Sequence, residues 1–198
     1  MKDLLENFRR LIWKDFSFLE EEYGFAREES PDFIVRYEKH GTLLSIAYDA
    51  TRSYEVTLDI GQKDLPEPAF NFGEVLRSVG VPQDKFLAYQ AASVEALEKC
   101  LRELACLLKE HCSSFLRGDP EAFIKAAELR KKECAEFELD TRMRIARSHA
   151  ERAWSERNYA GVIQAYTPVE LHLTLSESKR LDYCRTKSMG QNRRVRLD

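Results

Sequence analysis

The chain has 198 residues, with 31 Lys and Arg against 34 Asp and Glu, a formal charge of −3, 43% apolar residues, and only 8 Gly and 6 Pro. That apolar share is too high for a disordered chain, and so few Gly and Pro exclude collagen-like or low-complexity architectures. The 33% of charged residues suits a helix-rich fold with solvated outer faces.

The start, Met1-Lys2-Asp3-Leu4-Leu5-Glu6, places charges in every turn and lacks the unbroken apolar core of a secretory signal. No window reaches the roughly 18 apolar residues of a membrane span. Cys100, Cys106, Cys112, Cys134 and Cys184 are odd in number, which predicts reduced thiols and a cytoplasmic location, with no membrane partner.

Leu4, Leu5, Phe8, Leu11, Ile12, Phe16 and Leu19 recur at spacings of three and four, predicting one amphipathic helix over 3–22, closed at Tyr23-Gly24-Phe25. The period then falls to two. Phe33, Val35 and Tyr37, then Leu44, Ile46 and Tyr48, then Tyr54, Val56, Leu58 and Ile60 each alternate with other side chains and predict three strands. The connections are too short for helical crossovers, so the strands form an antiparallel meander with the first helix packed across it. Residues 61–71 read as a loop and Phe72–Val79 as a short helix. From Ser93, a plausible N-cap, Leu97, Leu101, Leu104, Leu108, His111 and Phe115 mark the seam of a packed helix that stops at Gly118.

Asp119-Pro120-Glu121 combines three helix-start signals, and no Gly or Pro follows until Gly161. One helix of up to about forty residues, or two nearly continuous ones, is expected there. Two shorter helices follow, Tyr159–Tyr166 and about Ser176–Lys187, and from Ser188 the basic tail lacks apolar anchors. The fold class is therefore α+β: an N-terminal helix packed on a three-stranded antiparallel meander, then a mainly α-helical C-terminal half with one long helix. The expected organisation is an α+β domain at 1–118, a helical region at 119–187 and a mobile basic tail at 188–198.

Chemistry finds little purchase. Cys100, Cys106 and Cys112 sit six residues apart on one helix; each step turns about 600°, so the three thiols point in different directions. No C-x-x-C, H-x-x-x-H or H-E-x-x-H occurs, and no metal or cofactor is expected. The eight glycines are too dispersed for a G-x-G-x-x-G or P-loop fingerprint, and G-x-S-x-G is absent. A metal-dependent nuclease could draw on Asp32, Glu38, Lys39, Glu55, Asp59 and Lys63, but Glu38 and Lys39 are adjacent and fall on opposite faces of a strand. The sequence thus predicts no enzyme.

Residues 1–68 hold 9 basic and 15 acidic side chains, a net of −6, and the remainder nets +3. Glu20-Glu21-Glu22 with Glu28-Glu29 makes an anionic patch able to steer a cationic partner such as a basic toxin or effector. Arg130-Lys131-Lys132 interrupts the apolar set of the long helix and marks a second candidate surface. The basic tail lacks interleaved aromatics, which argues against nucleic acid.

Phe16-x-Phe18-Leu19-x-x-x-Tyr23-Gly24-Phe25, Val35-x-Tyr37 and Tyr48-Asp49-x-x-Arg52-x-Tyr54-x-Val56 resemble a loose group of small bacterial proteins, many of them uncharacterised and some of the immunity type encoded beside toxins. Ala153-Trp154-x-x-Arg157-Asn158-Tyr159-x-x-Val162-Ile163, Leu173-Thr174 and Lys179-Arg180-Leu181 are similar to helical tails in that group. The resemblance implies a bacterial cytosolic protein and transfers no catalytic residue. The expected function is a non-enzymatic protein-binding module, immunity- or antitoxin-like, that occludes a partner protein. The alternatives are an assembly subunit homodimerising through its helical half and a nuclease-like enzyme.

Overall fold

The computed structural model describes residues 2–29, 33–82 and 90–194. It divides into two compact units, residues 1–130 and 131–198.

The first unit is α+β. Helix α1 (Lys2–Asp15) is followed by a four-residue helix, α2 (Phe18–Glu21), in place of the single helix expected to Glu22. Phe16, Phe18 and Leu19 are all buried. Residues two apart on a helix point about 200° apart, so burying both phenylalanines requires the break, and their rings stack at 6.3 Å. Gly24 closes α2 with a φ of 73°, and the Phe25 N–H reaches back to the Leu19 carbonyl at 2.9 Å, the left-handed cap the sequence predicts.

The sheet has five strands in the order β1 (Ala26–Glu29), β2 (Ile34–Lys39), β3 (Thr42–Tyr48), β4 (Val56–Gln62) and β5 (Phe70–Asn71), all antiparallel. This corrects the three-stranded meander. All three expected strands are present, although β4 starts at Val56 rather than Tyr54, whose φ of 53° is left-handed, and runs to Gln62; β1 is too polar and β5 too short to carry a period of two. The β2–β3 turn is His40-Gly41 with both φ values positive, 45° and 84°, the mirror-image turn that matches strand twist in a two-residue hairpin. Between β3 and β4, Asp49 accepts from the Thr51, Arg52 and Ser53 N–H groups. Those bonds hold its carboxyl well below the ordinary range.

Register places the apolar set on one face: Val35 opposite Ile46, Tyr37 opposite Leu44, Ile46 opposite Leu58, Leu44 opposite Ile60, and Ile60 opposite Phe70. The α1 stripe covers that face, with Phe8 and Tyr48 ring to ring at 5.7 Å. Helix α3 (Phe72–Ser78) starts on an Asn71–Glu74 capping box. Helix α4 (Val94–His111), capped by Ser93 as expected, lays Leu97, Leu101, Leu104 and Leu108 on the same core, and α5 (Ser113–Leu116) adds Phe115 and Leu116.

Helix α6 (Pro120–Ser155) is one continuous helix. Phe123 and Ala126 belong to the core of the first unit, which runs to Arg130. Residues 131–142 have no fully buried side chain. Ion pairs at Lys132–Glu136 and Glu138–Arg142 support this stretch.

In the second unit Met143, Ala146, Ala150 and Ala153 form a helical seam. It packs with Val162 and Tyr166 of α7 (Tyr159–Tyr166), Val169 of the 3-10 segment Thr167–His172, and Leu181 and Cys184 of α8 (Leu175–Arg194). Trp154, Tyr159 and Tyr183 meet edge-on with centroids 5.8 to 6.2 Å apart. Helix α8 continues through Ser188–Arg194, where a mobile tail was expected; residues 195–198 lie outside the described residues. Among the described residues no helix is long and apolar enough to cross a membrane.

Candidate interaction surfaces

The acidic front is partly neutralised where it stands. Glu20 lies 3.6 Å from the Arg27 guanidinium, Glu22 pairs with Lys109 of α4, and Glu28 faces Arg36 across the β1–β2 ladder. Glu21 and Glu28 are exposed. Glu29 occupies the end of β1, and its side chain lies outside the described residues.

The basic run divides. Lys131 and Lys132 are exposed. Arg130 instead turns onto the first unit, where its side chain is 19% exposed. Its Nε and one terminal nitrogen donate to the two Glu74 oxygens at 2.7 Å each. The terminal nitrogens also donate to the Pro68 and Ala69 carbonyls at 3.0 and 2.9 Å, and the guanidinium sits 4.0 Å from the Phe70 ring centroid. Burial alone would raise the Glu74 carboxyl; the Arg130 bonds and the Asn71 N–H outweigh it and leave the value lowered. This is a clasp of α6 onto α3 and β5.

The groups weighed for catalysis do not assemble. Glu38 is bound by Lys63 at 2.5 Å, the backbone of Glu55 pairs with that of Gln90 in an isolated antiparallel bridge, and Asp59 is half-buried with its carboxyl pushed up by desolvation and then by Glu74. Asp32 lies outside the described residues. Among the described residues no three His, Cys, Asp or Glu side chains come together as a metal site. Cys100, Cys112 and Cys184 are buried while Cys106 and Cys134 are exposed. Burial pushes the Cys100 and Cys112 thiols up to about 12, so both stay protonated.

Leu171 is 95% and Leu175 74% exposed, at the corner between the 3-10 segment and α8. That corner is firmly held. Buried Val169 and half-buried Leu173 root it in the core of the second unit. The Thr174 N–H and hydroxyl both donate to Glu177 at 2.8 Å, Arg147 Nε donates to the same carboxylate at 2.7 Å, and Arg185 grips Glu170 through two bonds of 2.7 Å. The Arg147 bond, opposed by burial and aided by Thr174, lowers the Glu177 carboxyl to about 2. Phe137 of α6 is 73% exposed. The alternation of Leu171, Leu173 and Leu175 was the available signal, but it could not say which leucines faced inward.

Compared with protein-family models, with curated proteins and with solved structures, the chain matches none.

Proposed function

We propose that the chain is a non-enzymatic protein-binding module that occludes a partner protein in the manner of immunity-type proteins. The observation that carries this reading is the Leu171–Leu175 corner: two large aliphatic side chains offered to solvent on backbone fixed by a capping pair and two arginine–carboxylate contacts. Single exposed leucines are ordinary. A pair on a pre-ordered corner is different, because binding there immobilises little that is not already immobile. Burying each leucine would contribute about 1.5–3 kcal/mol, so the pair could supply roughly two-fifths to three-quarters of a micromolar affinity of about 8 kcal/mol. The exposed Glu21 and Glu28 make the acidic front a second surface for the same function, acting on association rate more than on affinity.

The test begins with the partner recovered by crosslinking to the wild-type chain in its native host. An L171D/L175D variant should keep the wild-type circular dichroism and lose at least about tenfold in affinity for that partner. Unchanged affinity would remove the corner, and light scattering showing a dimer that the same substitutions dissociate would replace this reading with homodimerisation. Reversing Glu21, Glu22, Glu28 and Glu29 tests the front; an unchanged association rate eliminates it.

A further inference from the structure

A second surface lies on the first unit and is independent of the leucine corner. Trp13 belongs to α1, yet its side chain is 61% exposed, while Phe8, Leu11, Ile12 and Phe16 of the same helix are buried. Arg27 of β1 stacks beneath it, with Cζ 4.3 Å from the ring centroid, so one indole face is backed by a guanidinium. Trp13 lines an open cleft of about 510 Å³ together with Arg9, Arg10 and Lys14. Among the described residues the cleft wall therefore holds one indole and three cations.

We infer that this cleft docks an acidic peptide segment of a partner protein, with an apolar side chain on the indole and carboxylates on Arg10 and Lys14. The cations already show this preference for carboxylates. Lys14 reaches Glu98 of α4 at 3.3 Å, and Arg27 reaches Glu20 at 3.6 Å. Both pairs are at the rim and lie at or beyond ordinary hydrogen-bond length, so an incoming carboxylate can share or displace them at little expense. Arg10 donates to the Asn7 amide oxygen at 2.9 Å, a neutral acceptor that a carboxylate outbids. Trp and Arg are the side chains that most often carry interface energy when they surround one anchor.

A nucleic acid strand fits less well. Arg9 to Lys14 spans only about 7.5 Å of helix at 1.5 Å per residue, little more than a single phosphate spacing. Glu98, paired with Lys14, and Glu20, paired with the Arg27 that backs the indole, would repel a polyanion continuing past the cleft.

The chain has two tryptophans, so W154F makes Trp13 the sole indole reporter. Capped Glu-Glu-Leu-Glu-Glu titrated into that full-length variant should give a saturable blue shift of Trp13 emission, weakened at least about tenfold between 50 and 500 mM NaCl. R10E/K14E should weaken it by a similar factor, while K125E/R144E, which reverses the same number of charges at exposed sites elsewhere, should not. Because R10E/K14E could disturb α1, a second variant, R10Q alone, should show an intermediate loss with an unchanged melting curve. No shift, an equal response to Lys-Lys-Leu-Lys-Lys, or equal loss in the control pair would overturn the proposal. Tighter binding of a dodecamer of thymidylate than of the acidic peptide would also overturn it, and would assign the cleft to nucleic acid.

Discussion

Replacing Arg130 by alanine should be the most damaging single change at any charged position described above. Its guanidinium makes two charge-assisted bonds to Glu74, two to backbone carbonyls and a face contact with Phe70. Removing it leaves a carboxylate that is only 16% exposed without its counter-ion, and two carbonyls without their donors. Breaking a buried pair by deleting one partner costs about 3–5 kcal/mol. Here about a fifth of the arginine side chain still meets water, so R130A should cost roughly 3 kcal/mol, the low end of that range. R130K should recover about half, since a single ammonium cannot reproduce the bidentate fork. The assay is urea unfolding of the W154F chain followed through Trp13, which reports on the first unit. A double-mutant cycle with E74Q should return a coupling of at least about 1 kcal/mol. A cost for R130A below about 0.5 kcal/mol, within the ordinary surface range, would show that α6 is held to the first unit without the clasp.

Other changes test separate parts of the structure. G24A meets no atom within 4 Å, so its penalty is the left-handed backbone alone, about 1 kcal/mol; calorimetry showing no loss would refute the cap geometry. Glu177 has a folded value of about 2 against an ordinary 4.5. Its carboxylate therefore stabilises the second unit fully above about pH 4.5 and loses that effect as pH falls toward 2. Acid titration of the W13F chain through Trp154 should show this, and E177Q should flatten that stretch of the curve. A thiol-reactive disulfide reagent should titrate Cys106 and Cys134 quickly and reach Cys100, Cys112 and Cys184 only on unfolding; a third fast thiol would contradict the burial pattern.

What could be read from the chain followed the range of the interactions. The runs through β2, β3 and β4, the Ser93 cap and the Pro120 start depend on neighbours within a few residues, and each is where the pattern placed it apart from the ends of β4. Strand β1 reads Ala26-Arg27-Glu28-Glu29, an acidic surface segment by composition, and becomes a strand only because β2 supplies its hydrogen bonds. Strand β5 is two residues long, and its pairing with β4 is likewise imposed from outside. The α1–α2 break was visible in principle, since Phe16 and Phe18 cannot share a helix face. Arg130 was also within reach. It lies seven residues after Phe123 and four after Ala126, on the helical face that packs on the first unit. Lys131 and Lys132 are turned away from that face by about 100° and 200°, and reading the three as one basic patch missed this rotation.

The same reasoning explains why a charge total misleads about a surface. The net of −6 over residues 1–68 suggested a strongly anionic front, yet Glu20, Glu22 and Glu38 each meet a cation, and Lys109 arrives from a helix far along the sequence. Charges distant in sequence cancel in space, and the field beyond about 10 Å depends on what remains after that cancellation. At the front the exposed acids include Glu21 and Glu28; next to them Trp13 stands among Arg9, Arg10 and Lys14 and against Arg27. A cationic partner would seek the first surface, and an acidic segment carrying an apolar anchor would seek the second. Raising ionic strength weakens both, because each draws on charge; at the cleft the packing of an apolar side chain on the indole is the part that survives screening.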